Sequence, residues 1–188
     1  MKRKVIVFNS PVVLTFSAIC LLALILGNLT GGTTTTLLFS VYRSSFTDFF
    51  TYVRFFGHVF GHASVSHLVN NIMMLLITGP ILEERYGSRN IALVILVTAL
   101  VTGIFHFCFF PGTALLGASG VVFAFIIMAS ITGYRENEIP VTFILVAVLY
   151  LGEQIYEGLV VSDNVSQLTH ILGGIVGSVM GFSLRKRR

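Results

Sequence analysis

"NIALVILVTALVTGIFHFCFF", Asn90–Phe110, carries no Asp, Glu, Lys or Arg from end to end. Its length matches the roughly 20 apolar residues that an α-helix needs to cross a bilayer. Working outward, segments of the same character recur at Pro11–Leu29, His67–Leu82, Ala118–Tyr134, Pro140–Glu157 and Leu168–Leu184. His67–Leu82 and Ala118–Tyr134 are short and begin with polar or small residues, as helices do whose ends meet a polar cavity inside a bundle. The whole chain agrees: its 188 residues are 55% apolar and only 11% charged, and the mean hydropathy is +0.90. A soluble domain of this size cannot hide so much apolar surface. The expectation is an all-α polytopic membrane protein. It would be one domain over residues 1–188, a bundle of six transmembrane helices with short basic tails at 1–10 and 185–188.

Charge sets the expected orientation. A formal charge of +4 could suggest a nucleic-acid partner, but the basic residues cluster at the two termini, and no nucleic acid is expected. Six spans put both ends on one side. Lys2, Arg3, Lys4, Arg85, Arg89, Arg135, Arg185, Lys186, Arg187 and Arg188 then share that side, and only Arg43 and Arg54 lie opposite. By the positive-inside rule the termini are cytoplasmic. The first span follows "MKRK" as a signal peptide does, but it is long and "GNLTGGTTTT" offers no A-x-A-like cleavage site, so a retained span is expected. The long loop Thr30–Ser66 turns aromatic and amphipathic, which predicts short helices in the membrane interface. Cys20 and Cys108 sit in apolar runs and read as inert buried thiols.

Polar groups inside spans are costly and usually face the bundle interior. Ser119 opens the fourth span, His170 lies near the start of the sixth, and His67 and Asn71 share one face of the second at spacing i, i+4. On this topology all of them lie at the outer level. A serine hydroxyl needs a base, and histidine suits that task at neutral pH. His67 and Asn71 carry donors able to stabilise an oxyanion. Gly117 and Gly120 allow close backbone approach around the serine, and a helix start adds free N–H groups. Each signal also has an ordinary reading: Ser119 as a helix N-cap, the histidines as hydrogen-bonded structure.

The remaining motifs are more specific. "HASVSHLVNN" (His62–Asn71) reads H-x4-H-x3-N, "GPILEERYG" (Gly79–Gly87) reads G-x3-E-x3-G, "GASG" (Gly117–Gly120) reads G-x-S-G and "HILGGIVG" (His170–Gly177) reads H-x2-G-x3-G. With "VRFFGH" (Val53–His58), this set and its order resemble the rhomboid family of intramembrane serine proteases, from about Arg54 to Gly181. The resemblance implies a six-helix bundle with a long interfacial first loop. It implies Ser119 as nucleophile and His170 as its base, a dyad without an acidic third member. His67, Asn71 and the Ser119 backbone N–H would form the oxyanion site, with Gly117 in the same substrate-binding group. Gly173 and Gly177 would let the sixth helix pack tightly on the fourth, and Glu83 and Arg85 would be structural.

The implied substrates are single-span transmembrane proteins in the lipid bilayer, cut near the extracytoplasmic face, with no cofactor and no metal. The chain departs from the pattern at Val53, where Trp is usual, at Phe123, where Tyr is common, and at Thr169, where Ala is usual. His58, His62 and His67 invite a metal reading, but H-E-x-x-H is absent, and His62 is expected to hydrogen-bond within its loop. Glu153 and Glu157, at i, i+4 in the fifth span, suggest a small transporter or a water-facing helix end. A catalytically inactive, client-binding relative is the other alternative.

Overall fold

The computed structural model describes residues 7–132, 138–160 and 164–184. Lys2, Arg3, Lys4, Arg135 and Arg185–Arg188 lie outside the described residues, as do the side chains of Glu153 and Glu157. What is described is helical, and the sole β-pairing among these residues is an isolated antiparallel bridge, Val41 to Leu115.

Helix α1 spans Pro11–Leu29, with proline at its first position, where a missing N–H costs nothing. The first loop holds two short helices, α2 (Thr33–Leu38) and α3 (Phe49–Gly57), and a 3-10 turn at His58–Phe60. Asp48 caps α3 by accepting from Phe50 N at 2.9 Å. The loop thus contains short helices. Helix α4 (Val65–Tyr86) starts where Ser64 Oγ accepts from His67 N at 3.1 Å. Helices α5 (Ser88–Phe109), α6 (Ser119–Ile131), α7 (Val141–Val160) and α8 (Asn164–Ser183) follow.

Helix α7 ends at Val160 rather than Glu157 and α8 begins at Asn164 rather than Leu168, and two other spans differ in kind. With 22 residues, α4 is long, not short: it accommodates Pro80 and runs on past Leu82 to Tyr86. Glu83, to which the resemblance gave a structural role, is buried, 4% exposed, and its carboxylate accepts from Val12 N, Val13 N and Ser88 Oγ at 3.0, 3.1 and 2.7 Å. It caps α1 with a charge suited to a helix N-terminus and braces the start of α5. Helix α6 has 13 residues and stops at Ile131, short of the expected Tyr134. Among the described residues α1, α4 and α5 are long and apolar enough to cross a membrane, and α6 is a shorter apolar helix. Cys20 is buried as expected, but Cys108 is exposed on α5.

The G-x3-E-x3-G run explains the α1–α4–α5 corner. A Cβ on Gly79 would lie 2.7 Å from Val13 Cγ2, so glycine there lets α1 lie against α4. Gly87 joins α4 to α5 at φ +83°, a conformation L side chains rarely adopt. Helix α6 forms the centre: Val121, Ala124, Phe125 and Met128 have no exposed surface. A helix apolar on all sides belongs inside a bundle, and α8 is its closest partner. A Cβ on Gly173 would run into the Gly120 carbonyl, 2.9 Å from its carbon, and one on Gly177 would lie 2.7 Å from Ala124 Cα. Small residues one turn apart bring the two backbones together, as in other membrane helix pairs.

Candidate active site

The candidate site gathers at the start of α6. The residue capping that helix is Ala118, whose carbonyl accepts from Val122 N at 2.9 Å. Ser119 is the first helical residue, so its hydroxyl is not the N-cap that the ordinary reading assigns to it. Its backbone N–H belongs to the helix start, where donors lack intrahelical partners. Gly117 precedes it at φ +135° and donates its N–H to His58 O at 2.9 Å. A Cβ on Gly117 would lie 2.9 Å from His67 Cε1, 3.0 Å from His67 Nε2 and 3.8 Å from Ser119 Oγ. Glycine is thus required twice at position 117, by its dihedral and by the imidazole edge resting against it. His67, Gly117 and Ser119 meet at one point.

His67 is half-buried in the first turn of α4, its backbone fixed by the Ser64 cap. Its ring meets the ring of His62 edge-on, with centroids 5.0 Å apart at 68°. His62 Nδ1 lies 3.1 Å from Phe60 O, the bond within the loop that the sequence led us to expect. A carbonyl only accepts, so Nδ1 carries the proton and Nε2 is a bare lone pair, buried without a partner. Burial and the neighbouring His67 ring push His62 down to about 4, so it stays neutral. One turn below His67, Asn71 is 7% exposed, and its Nδ2 is buried with no hydrogen-bond partner. An unpaired buried donor ordinarily costs about 1–3 kcal/mol.

His170 reaches this end of the bundle on α8. Its ring packs against Phe123 of α6, centroids 4.5 Å apart and tilted by 44°. Beside it, Thr169 is buried, with Cγ2 3.7 Å from where a Gly120 Cβ would stand. The glycine contacts of Gly173 and Gly177 hold α8 in this register. Glu83 is far from this chemistry, its carboxylate committed to the start of α1.

A frame absent from the sequence reading holds the loop before Ser119. Val41 and Leu115 exchange two backbone hydrogen bonds, both 2.9 Å. The first loop that supplies Val41 and His58 is itself organised by Arg54. That side chain is 1% exposed and bonds Asp48 Oδ2 at 2.8 Å and Ser44 Oγ at 2.9 Å, with its guanidinium 4.5 Å from the centre of the Tyr42 ring. Arg54 guanidinium bonding holds the Asp48 carboxyl below the usual carboxylate range. The signal was available: an arginine amid the aromatics of "FFTYVRFF" needs either water or a built partner.

Residues 50–187 match the family model of the Rhomboid domain. Among curated proteins the chain is similar to "Rhomboid-related protein 2" of Mus musculus, 31% identical over 144 residues, covering 70% of this chain and 47% of that protein. It is similar to "Rhomboid protease GlpG" of Serratia proteamaculans (strain 568), 27% identical over 176 residues, covering 92% of this chain and 62% of that protein. The protein of the same name from Pectobacterium atrosepticum is 29% identical over 133 residues, covering 69% of this chain and 47% of its own length. The chain spans about half the length of most of the curated relatives it matches. The matched span carries every motif that meets at the start of α6, and the chain belongs to the rhomboid family.

Proposed function

We propose that this chain is an intramembrane serine endoprotease that cuts transmembrane segments of single-span membrane proteins. The observation that carries the proposal is the meeting of His67, Gly117 and the Ser119 hydroxyl above an unpartnered Asn71 amide. Two of the relatives described above are named rhomboid proteases, which supports the same reading. Ser119 Oγ attacks the scissile carbonyl carbon and passes its proton to His170. The oxyanion accepts hydrogen bonds from His67, Asn71 Nδ2 and the Ser119 backbone N–H. Collapse expels the amine, which takes the proton from His170, and leaves an acyl-enzyme on Ser119. Water then adds with His170 as base and releases the carboxylic acid and free serine. No cofactor enters these steps.

In the topology that goes with this chemistry, α1, α4, α5, α6, α7 and α8 span the bilayer, the termini are cytoplasmic and the site faces the extracytoplasmic side. The deciding experiment uses the full chain in detergent with a transmembrane reporter. Ser119→Ala and His170→Ala should each abolish cleavage, and the double variant should be no worse, because nucleophile and base act as a unit. Cleavage by Ser119→Ala at the wild-type rate would sink the proposal. Reporter binding without cleavage by the wild type would favour a client-binding protein.

A further inference from the structure

His106 has no task in the chemistry above. It lies in the last turn of α5 with no exposed surface. Its Nε2 stands 3.1 Å from Thr113 O. A carbonyl only accepts, so Nε2 carries the proton, and Nδ1 is left as a lone pair, buried without a partner. The ring lies nearly parallel to Phe110, centroids 5.5 Å apart at 20°. Stacking therefore fixes the imidazole plane, and the plane aims one donor at one carbonyl. A histidine in an apolar span is costly to place. This one spends its single proton on the loop that leads to Ser119.

That loop gives the bond its meaning. Pro111, Gly112, Thr113 and Ala114 are all exposed, so burial does not anchor the approach to the site. Farther on, Leu115 pairs with Val41 and Gly117 donates to His58 O. The tie from His106 to Thr113 enters before both. We propose that His106 is a positioning residue for the nucleophile: its bond to Thr113 O sets the register in which Leu115 and Gly117 pair, and hence the aim of the Ser119 hydroxyl and backbone N–H. The hydrogen bond stands by itself, and its consequence for reactivity rests on the protease reading.

His106→Phe keeps the ring, its volume and the stack on Phe110 but cannot donate, whereas His106→Gln keeps a donor. Two readouts on the full chain in detergent separate the possibilities: amide exchange across Thr113–Gly117, and the rate at which a fluorophosphonate labels Ser119. In His106→Phe the loop amides should exchange about tenfold faster and labelling should slow by a similar factor, in keeping with the loss of one ordinary hydrogen bond. Exchange in α1 and α4 should be unchanged, and His106→Gln should recover part of both effects. A folded His106→Phe with wild-type exchange and labelling would overturn the proposal. Should His106→Phe fail to fold, His106→Gln is compared with His106→Met, and equal loop exchange in that pair would overturn it as well. If wild-type Ser119 is never labelled, the protease reading falls, and the exchange comparison still decides whether His106 holds the loop.

Discussion

At the scale of single residues, Asn71 and His58 make opposite predictions. The Asn71 amide is buried and unsatisfied, a state that costs stability, and on the proposed function it is the donor an oxyanion would meet. Asn71→Leu should therefore raise the thermal midpoint while lowering reporter cleavage. The loss of one such donor costs about 2.7–4 kcal/mol of barrier in a well-studied hydrolase, and less is expected here because His67 and the Ser119 N–H remain. Midpoint and turnover measured side by side check this, and a variant both less stable and fully active would contradict it. His58 by contrast has a polar neighbour at each ring nitrogen, Arg54 O at 3.2 Å and Thr102 Oγ1 at 3.1 Å, and burial pushes it down from 6.5 to about 4. Below pH 6.5 the unfolded chain takes up a proton that the folded chain refuses until about 4. Its contribution is thus fully present above 6.5 and is lost as the pH falls toward 4. Midpoints recorded from pH 7.5 to 4.5 should decline over that window, and less steeply in His58→Gln. Parallel curves would show that another group governs acid stability.

At the scale of elements, the α6–α8 pair is the most exacting contact. A methyl group at Gly177 meets the Ala124 backbone, which cannot step aside as a side chain tip can. Overpacking of this kind typically costs about 1–3 kcal/mol. Gly177→Ala should lower the midpoint accordingly and slow cleavage further, because His170 rides on the displaced helix. Normal stability and turnover in Gly177→Ala would argue against the close approach. The elements were legible in the sequence to different degrees, for physical reasons. Pro11 and "GNLTGG" bracket α1, and its ends were read correctly. The apolar run ends at Leu82, so composition alone stopped α4 there; what carries the helix on to Tyr86 includes the burial of Glu83 against the start of α1, a contact between residues 70 positions apart. Ser119, His67, Asn71 and His170 stood out as candidates because a polar group in an apolar run is conspicuous. The bridge from Val41 to Leu115 was not, since neither stretch has a strand's alternation and the pairing is made of backbone alone.

At the scale of the whole molecule, the Glu83 contact places the start of α1 level with the turn between α4 and α5. Arg85 and Arg89 flank that turn, so they lie level with the start of α1, as the proposed topology requires of a shared cytoplasmic side. Tags at both termini should resist impermeant thiol reagents in sealed cells and react once the membrane is opened. Reaction of either tag in sealed cells would overturn the six-span topology. The packing of α6 against α8 also has a consequence in time. The ribosome delivers Ser119 about fifty residues before His170, a delay of several seconds at roughly 5–20 residues per second. During that interval the nascent chain has a serine and no partner to take its proton, and the groove that α8 will fill stands open to lipid. On the reading advanced here, a growing protease stays inert beside the other chains leaving the translocon until its last helix is in place.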